Sequence, residues 1–248
     1  MQGIEFFTTV TSLSCNGNQL TSLDVSKNTA LTWLSCNGNQ LASLDVSKNT
    51  ALTWLSCHEN QLASLDVSKN TSLTTLWCSD NRLTALDVSK NTALTLLYCY
   101  SNQLTSLDVS GCTALTSLYC YSNQIKGAAM DALVASLPAV SSGNMLVIYN
   151  QNEQNVMNTT QVAAAKAKGW TPRYYTGSEW QEYAGSEPVD LRGDVNGDGE
   201  VNVGDLVSVS NYMAGDVSVS KDAADVNQDG EVNVGDMVVI SNIMSGNE

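Results

Sequence analysis

Two twelve-residue segments near the end of the chain carry oxygen-bearing side chains at a spacing that suits a calcium ion. The first, D-V-N-G-D-G-E-V-N-V-G-D, spans residues 194–205, and the second, D-V-N-Q-D-G-E-V-N-V-G-D, spans residues 225–236. Calcium takes about six to eight oxygen ligands, which such a loop supplies from positions one, three, five, seven, nine and twelve. The predicted ligands are Asp194, Asn196, Asp198, Glu200 (backbone carbonyl), Asn202 and Asp205, followed by Asp225, Asn227, Asp229, Glu231 (backbone carbonyl), Asn233 and Asp236.

Duplication separates these segments from the simpler alternative, an acidic and solvated Asn/Gly-rich loop. Residues 194–215 and 225–246 share 16 identities over 22 aligned positions. Gly199 and Gly230 stand at the sixth position, where the sharp turn favours a residue without Cβ. Three aspartates in each loop repel one another without a metal, so we expect the segment to be loosely folded until calcium binds. The sequence predicts two calcium ions.

The flanking sequence gives each loop only an exiting helix. The predicted helices run over residues 205–214 and 236–245, although the V-S-V-S pattern alone would also suit a strand. Before Asp194 the chain holds Pro188 and too little helix-forming sequence for an entering helix, and before Asp225 it has only K-D-A-A. Twin loops with Asp at position twelve and one following helix each resemble the dockerin domain over residues 190–246.

This resemblance implies a calcium-dependent plug, a small all-α double half-EF-hand, that docks onto a cohesin-type module of a scaffold. In dockerins the partner contacts loop positions ten and eleven and a patch on the exiting helix. Here those positions are Val203, Gly204, Ser210 and Asn211, and in the second half Val234, Gly235, Ser241 and Asn242. Well-known dockerins carry hydroxyl residues at the first pair, and this chain departs from them there. Internal symmetry would let either half face the partner.

Residues 10–124 repeat every 21 residues, and this period predicts a solenoid. The unit L-T-W-L-S-C-N-G-N-Q-L-A-S-L-D-V-S-K-N-T-A spans residues 31–51. It matches the pattern L-x-x-L-x-[LC]-x-x-N-x-L and resembles leucine-rich repeats, with the short repeats of bacterial internalins as the nearest likeness. The predicted fold class is therefore an α/β leucine-rich repeat solenoid with a parallel sheet, in which stacked repeats bury Leu, Cys and Val ladders.

Six cysteines recur at the repeat spacing, so they belong to the solenoid: Cys15, Cys36, Cys57, Cys78, Cys99 and Cys120. Zinc binding would need close pairs such as C-x-x-C, which are missing. Disulfides between rungs suit side chains that stand parallel badly. We interpret the column as small buried hydrophobes. Cys112 takes the slot of Asn28, Asn49, Asn70 and Asn91, so it should face inward like them.

The predicted domain organisation is a solenoid at 1–124, an αβαβ C-terminal cap at 125–176, a linker at 177–189 and the calcium-binding domain at 190–248. No signal peptide or membrane-spanning run is visible in the sequence. The net charge of the chain is −14, and most of it lies in residues 190–248, which hold 12 acids against 2 bases. The chain has no basic footprint for nucleic acid, which excludes DNA and RNA as expected partners.

Three strand columns that should face the concave surface vary between repeats, and they gather aromatic residues. Strand alternation places the columns on one face. The candidate ligand-binding residues are Trp33, Trp54, His58, Trp77, Tyr98, Tyr100, Tyr119 and Tyr121. Contiguous exposed aromatics favour recognition of a protein or a glycan, whereas the alternative is cross-strand stabilisation of the sheet. His58 beside Glu59 lacks a nucleophile in register, so we interpret it as a rim contact.

Together these features predict a non-enzymatic, secreted or surface-attached bacterial protein. Its repeats would bind a protein or glycan while the tail attaches it to a scaffold, and the dockerin resemblance implies a link to polysaccharide breakdown. The alternative is structural: a spacer whose calcium-binding tail docks internally and has no scaffold partner. An enzyme is the weakest option, because no paired carboxylates, Ser-His-Asp set or phosphate loop stands out.

Overall fold

The computed structural model describes residues 3–149, 153–186, 193–197, 201–216 and 218–246. The chain divides into two compact units. The first comprises residues 1–125 and 129–185, and the second comprises residues 126–128 and 186–248. Among the helices in these ranges, none combines the length and the apolar character needed to cross a bilayer.

A nine-stranded sheet forms the first unit, and its strands follow one another in chain order. The strands are β1 (Ser12–Ser14), β2 (Trp33–Ser35), β3 (Trp54–Ser56), β4 (Thr75–Trp77), β5 (Leu96–Tyr98), β6 (Ser117–Tyr119), β7 (Gly143–Ile148), β8 (Trp170–Tyr175) and β9 (Trp180–Glu182). Neighbours from β1 to β8 are parallel, and β9 is antiparallel to β8. Each of the first five strands pairs with its equivalent one repeat later, for example Leu34 with Leu55. The 21-residue period is thus the register of the sheet, and the predicted fold class is confirmed.

Apolar ladders fill the interior of the solenoid. Within one repeat, Leu52, Leu55, Cys57, Leu62 and Val67 are all fully buried. Removing a leucine side chain of this kind from water contributes about 2 kcal/mol to stability, and the same set recurs on successive rungs. All seven cysteines are buried free thiols. Burial raises the pKa of Cys78 to about 12, which keeps the thiol protonated.

An asparagine ladder satisfies backbone groups at the turn that follows each strand. Asn102 donates through Nδ2 to the carbonyls of Cys78 and Cys99 at 3.1 Å, and its Oδ1 accepts the N–H of Leu83 at 2.9 Å. Asn39, Asn60, Asn81 and Asn123 repeat this arrangement. One side chain therefore satisfies backbone groups on neighbouring rungs.

A second asparagine ladder runs through the convex turns. Asn49 donates through Nδ2 to the carbonyls of Val25 and Asn28, and Asn70 and Asn91 do the same one and two rungs later. Cys112 takes this slot as predicted, and its Sγ lies 3.4 Å from the carbonyl of Val88.

The N-terminal segment supplies the acceptors that a preceding rung would offer. Asn28 donates to the carbonyls of Ile4 at 2.9 Å and Phe7 at 3.0 Å. These two residues lie one repeat before Val25 and Asn28, which are the acceptors for Asn49. The short 3-10 turn Ile4–Phe6 thus occupies the place of a convex turn, although Phe6 and Phe7 are exposed.

Helices and strands after β6 cover the end of the apolar column. Helix α1 (Gly127–Ser136) buries Met130, Leu133 and Val134, and helix α2 (Thr159–Ala167) begins at Asn158 with a capping box to Gln161. Lys168 donates to the carbonyls of Val134 and Leu137 and also contacts that of Ala135, so it satisfies the open end of α1. The predicted order of helix, strand, helix and strand is confirmed.

The segment predicted as a linker, residues 177–189, differs in part. Strand β9 lies inside it, and Tyr174 pairs with Gln181 and Tyr175 with Trp180. The Gly and Ser content around Gly177 marks the tight turn of a β-hairpin rather than a flexible connection. The linker prediction is therefore wrong for this stretch. Its later residues, 187–189, lie outside the described residues.

Three helices build the described part of the second unit: α3 (Val203–Met213), α4 (Lys221–Ala224) and α5 (Val234–Met244). Helices α3 and α5 begin two residues before their predicted starts. A small core of Val195, Val209, Ala224, Val226 and Ile240 holds them together. Met213 and Met244 are 46% and 42% exposed, because each lies in the last turn of its helix.

Candidate functional site

The second calcium loop, residues 225–236, is described in full and turns around its own side-chain oxygens. Asp225 accepts the N–H groups of Asp229 at 3.1 Å and Gly230 at 2.9 Å. Asn227 Oδ1 accepts the N–H of Asp229 at 2.9 Å. Asp229 Oδ1 in turn accepts the N–H of Glu231. Positions one, three and five thus bring carboxylate and amide oxygens to the inside of one turn.

Left-handed residues make this turn possible. Gly230 at position six has φ of 89° as predicted, and position four also has positive φ, at 60° for Gln228 and 71° for Gly197 in the first loop. The positive φ at position four was not predicted, because Gln seldom adopts this conformation. The glycine at the same position of the first loop, Gly197, was the signal in the sequence that indicated it.

Position twelve closes each loop onto the helix that follows. Asp236 is fully buried and accepts the N–H groups of Asn227 at 3.0 Å and Asn233 at 2.8 Å. Asp205 does the same for Asn196 at 3.1 Å and Asn202 at 2.8 Å. Both carboxylates lie in the first turn of a helix, where its dipole stabilises negative charge. They join the two ends of the loop to one helix terminus.

Position nine serves the helix as its N-cap. Asn202 Oδ1 accepts the N–H of Gly204, and Asn233 Oδ1 accepts that of Gly235, both at 2.7 Å. A Cβ at Gly235 would lie 2.9 Å from Asn233 Oδ1 and 3.0 Å from Asn227 Nδ2. The glycine at position eleven is therefore required by the close approach of the loop side chains.

The donor set fits a hard cation, since it consists of carboxylate, amide and carbonyl oxygens. Among the described residues, however, no three His, Cys, Asp or Glu side chains lie close enough together to hold a metal. Hydrogen bonds within the loop occupy the oxygens instead. Predicted ligands Asp198 and Glu200 lie outside the described residues. The assignment of individual ligands stays a prediction.

In each half, three of the four predicted partner contacts lie on one exposed stripe of the exiting helix, whereas Gly204 and Gly235 are half-buried. Val203 is 61% exposed and Val234 is 62% exposed, while Ser210, Asn211, Ser241 and Asn242 are also exposed. Val207 and Val238, one turn further along, are 51% and 52% exposed and belong to the same stripes. The sequence analysis missed these two valines, although their spacing of four from Val203 and Val234 placed them on that face.

In the first unit, the predicted aromatic residues share the concave face. Trp33 and Trp54 stack at 4.6 Å between ring centroids, and His58 stacks on Trp77 at 4.3 Å. Tyr98 and Tyr119 lie at 4.3 Å, and Tyr100 and Tyr121 stack at 4.5 Å with 8° between their planes. In-register strands place equivalent side chains one rung apart, so rings in one column come into contact.

The aromatic surface continues past the repeats onto β7, β8 and β9. Tyr149 stacks on Tyr121 at 5.3 Å and on Tyr175 at 5.1 Å. Trp180 contacts Tyr121 at 5.1 Å and Tyr175 at 5.3 Å. We name these rings together with the predicted residues the concave aromatic face. The extension could not be predicted from the sequence, because the 21-residue period ends at β6. The signal in the sequence was limited to the dipeptides Tyr174-Tyr175 and Glu179-Trp180.

His58 lies against a serine, but the pair is unsuited to nucleophilic catalysis. Its Nδ1 is 2.8 Å from Ser56 Oγ, and Ser56 is fully buried. A buried hydroxyl cannot meet a substrate. Burial lowers the pKa of His58, while the nearby carboxylates of Glu59 and Asp80 act in the opposite direction. The imidazole thus contributes a half-buried ring to the concave aromatic face.

Comparisons with known proteins identify each unit separately. The dockerin type I domain model matches residues 192–245. An internalin (inlF) from Listeria monocytogenes str. 4b F2365 is similar with a TM-score of 0.58 and 22% identity, over 67% of this chain and 48% of that one. The leucine-rich repeat domain of APL1B gives a TM-score of 0.51 and 20% identity, over 68% and 55%. No curated protein sequence matches the chain.

The chain spans about half the length of these solved structures, which show its fold alone. Both resemblances inferred from the sequence are confirmed: the repeats have the fold of leucine-rich repeat proteins, and residues 192–245 match the dockerin type I domain. The chain therefore combines a leucine-rich repeat solenoid fold with a segment that matches the dockerin type I domain.

Proposed function

We propose that this chain is a non-enzymatic, extracellular recognition and attachment protein. The tail binds two calcium ions and docks onto a cohesin-type module, and the concave aromatic face binds a protein or a glycan. The attachment half rests on one observation above all: a dockerin type I match over a segment that carries two equivalent, exposed apolar stripes. A context of polysaccharide breakdown on a bacterial surface belongs to the same proposal.

Calcium would be held by the carboxylates and amides at positions one, three and five, the carbonyl at position seven and the position-twelve aspartate. The ion supplies positive charge that offsets the repulsion between these groups. Asp205 and Asp236 then fix the first turn of α3 and α5, which keeps each stripe on one rigid face. Attachment therefore requires calcium because the ion orders the loop that begins the docking helix.

The stripes fit a protein partner. Val203 and Val207 in α3 expose apolar side chains beside Ser210 and Asn211, and α5 repeats this with Val234 and Val238. An apolar centre flanked by small polar groups is the usual composition of a protein interface. Since the halves are equivalent, either one suffices to bind, and the partner can be held in two orientations.

A panel of recombinant cohesin modules tests the attachment half. Binding to the full chain is measured by calorimetry in calcium and in chelator, with Val203→Asp and Val207→Asp together, Val234→Asp and Val238→Asp together, and all four. We expect either pair to leave binding within a factor of about three and all four to abolish it. Equal binding in chelator, or full binding by the fourfold variant, would refute attachment.

The concave aromatic face is tested by changing rings that leave the core intact. Trp54→Ala, Trp77→Ala and Tyr98→Ala together remove three half-buried rings. Glycan arrays and a bacterial surface-protein array, read with the full chain, should lose their signals in this variant. Retained signals with an unchanged unfolding profile would favour the spacer alternative, in which the rings only stabilise the sheet.

A further inference from the structure

Two neighbouring repeats isolate the positions at which the solenoid changes its surface. Residues 31–51 and 52–72 differ at three places only: His58 replaces Asn37, Glu59 replaces Gly38 and Ser72 replaces Ala51. Two of these changes are adjacent and lie on the rim of the concave aromatic face. The next repeat continues the acidic character with Asp80 at the position of Glu59. The rim thus gains two carboxylates in consecutive rungs.

These carboxylates stand at positions where the backbone favours glycine. Gly17 and Gly38 have φ of 62° and 64°, and Glu59 and Asp80 adopt φ of 53° and 52° in the same turn. A non-glycine residue in this conformation is disfavoured by about 1 kcal/mol. Ser101 and Ser122 continue the column, so the fold tolerates the strain but gains no packing from an acid there.

Neither acid forms an ion pair with a Lys or Arg in the described part of the chain. The ion pair present there joins Lys166 and Glu182. Asp80 is half-buried, and its backbone N–H donates to the carbonyl of Tyr100 at 3.1 Å. Burial raises the pKa of Asp80 and the negative charge of Glu59 adds to this, while Ser101, Ser79 and His58 act in the opposite direction. A cation brought to this rim would therefore relieve unfavourable charge as well as form a new pair.

Trp77 is enclosed by other rings, with His58 on one side and the edge of Tyr98 at 77° on the other. Trp33 and Trp54 stack on each other at an angle of 9°, and neither has a second stacked ring among the described residues. Tyr100 likewise has one stacked ring, Tyr121, and the column's preceding position is Ser79, whose hydroxyl accepts the Nε1–H of Trp77 at 2.8 Å. Of these partly open rings, Tyr100 is the one whose backbone carbonyl accepts the N–H of Asp80.

We propose that the concave aromatic face binds a protein segment rich in lysine or arginine, with a cationic side chain over Tyr100 that pairs with Asp80 and Glu59. Ring face and carboxylate act on the same group, because a cation is attracted by both. This inference rests on the proposed recognition role of the same face and names its ligand class.

The test titrates the full chain with an octapeptide of alternating glycine and arginine, followed by tryptophan fluorescence. Glu59→Gln together with Asp80→Asn removes the rim charges. Asp66→Asn together with Asp87→Asn makes the same change in net charge on the same two rungs, at exposed convex positions. We expect the rim variant to weaken binding about tenfold and the convex variant less than about twofold. Affinity should fall as salt rises, since exposed pairs are screened.

Equal weakening in both variants would reduce the effect to net charge and overturn the proposal. Binding of a glycine–glutamate octapeptide or of cellohexaose as tightly as the arginine peptide would overturn it as well, as would no binding of the arginine peptide. A different result would refute the recognition role itself: the ring variant would keep every signal on the glycan and protein arrays. A chain that binds a neutral glycan through the rings refutes the cationic ligand and retains recognition.

Discussion

In the repeat unit the fully buried positions are filled by Leu, Cys, Val, a ladder of Asn and two serines, Ser56 and Ser79, whereas in the tail they include two aspartates. The solenoid encloses its apolar side chains between rungs that each repeat the last. The tail has a core of five small residues and directs carboxylates inward to hold its loops. Its acidity is also greater, with 12 acids against 2 bases beyond residue 189.

This contrast shows how one chain can combine a permanent part and a conditional part. Apolar ladders do not need a bound cation, because their stability comes from removing apolar surface from water. A loop of like charges becomes stable when a cation is present. The two units should therefore respond to different perturbations.

The largest effect that separates them is expected from calcium removal. Chelator, or Asp198→Ala with Asp229→Ala, should abolish the unfolding transition of the tail and leave that of the repeats unmoved. Each ion contributes about 4 kcal/mol when free calcium exceeds its dissociation constant a thousandfold. Scanning calorimetry measures both transitions, with Asp216→Ala, outside both loops, as the control. If the tail unfolds at the same temperature with calcium and with chelator, the two units do not differ in their dependence on calcium.

A cavity in the apolar ladder should act on the repeats alone. Leu97→Ala opens a hole at a fully buried rung position and should lower the free energy of unfolding of the first unit by about 3 kcal/mol. Its neighbour Leu96 is half-exposed on the concave face, so Leu96→Ala is the matched control, at about 1 kcal/mol. Denaturant titration followed by tryptophan fluorescence gives both values. Comparable losses would mean that the interior is loosely packed.

Deleting one member of the turn ladder should cost less than the cavity. Asn102→Ala leaves the carbonyls of Cys78 and Cys99 and the N–H of Leu83 without their partner, at about 2 kcal/mol. The adjacent Gln103 is exposed, and Gln103→Ala should change the free energy by less than about 0.5 kcal/mol. The same denaturant titration applies, and a loss restricted to the control would contradict the role of the ladder.

The smallest effect should come from Asp80 and should depend on pH. Its folded-state pKa is raised, mainly by burial, so the stability that it contributes is present below its unfolded pKa of about 3.9 and is lost as pH rises through the folded value. Asp80→Asn should therefore stabilise the first unit at pH 7 by about 0.5 kcal/mol after solvent screening, and by less at pH 3.

Asp66 provides the opposite sign on the convex side. Hydrogen bonds from Ser68 lower the pKa of Asp66, so its contribution is present above its unfolded pKa and is lost on acidification. Asp66→Asn should destabilise slightly at pH 7. Melting temperatures measured at pH 7 and pH 3 test both predictions. If Asp80→Asn raises the stability equally at the two pH values, the gain comes from backbone conformation and not from the charge of Asp80.

Sequence periodicity was sufficient to predict the solenoid, because a repeat that returns Leu, Cys and Asn to fixed slots leaves one way to stack them. The helices of the cap and tail followed from apolar spacing and caps. Strand β9 was missed, since a three-residue edge strand in a Gly/Ser-rich segment has no periodic signal. Its tryptophan extended the concave aromatic face beyond the repeats.

The candidate site was predictable in outline and less so in detail. Loop spacing pointed to the oxygen donors, yet it could not show that Asn202 and Asn233 cap helices or that Asp205 and Asp236 join the loop ends. These roles depend on backbone N–H directions that only a folded loop defines. Val207 and Val238 were missed, although their spacing of four from Val203 and Val234 placed them on the exposed face.

The near identity of residues 31–51 and 52–72 carries a hazard for assembly. A strand could instead pair with the strand two repeats away, with the repeat between them looped out. This pairing would bury equivalent leucines and cysteines, and equivalent asparagines would form the same hydrogen bonds. Such frame-shifted stacking is opposed only by the ends, where the turn Ile4–Phe6 and helix α1 have no duplicates. At high protein concentration a repeat from one molecule can equally extend the sheet of another, so refolding should yield chains exchanged between molecules unless it is dilute.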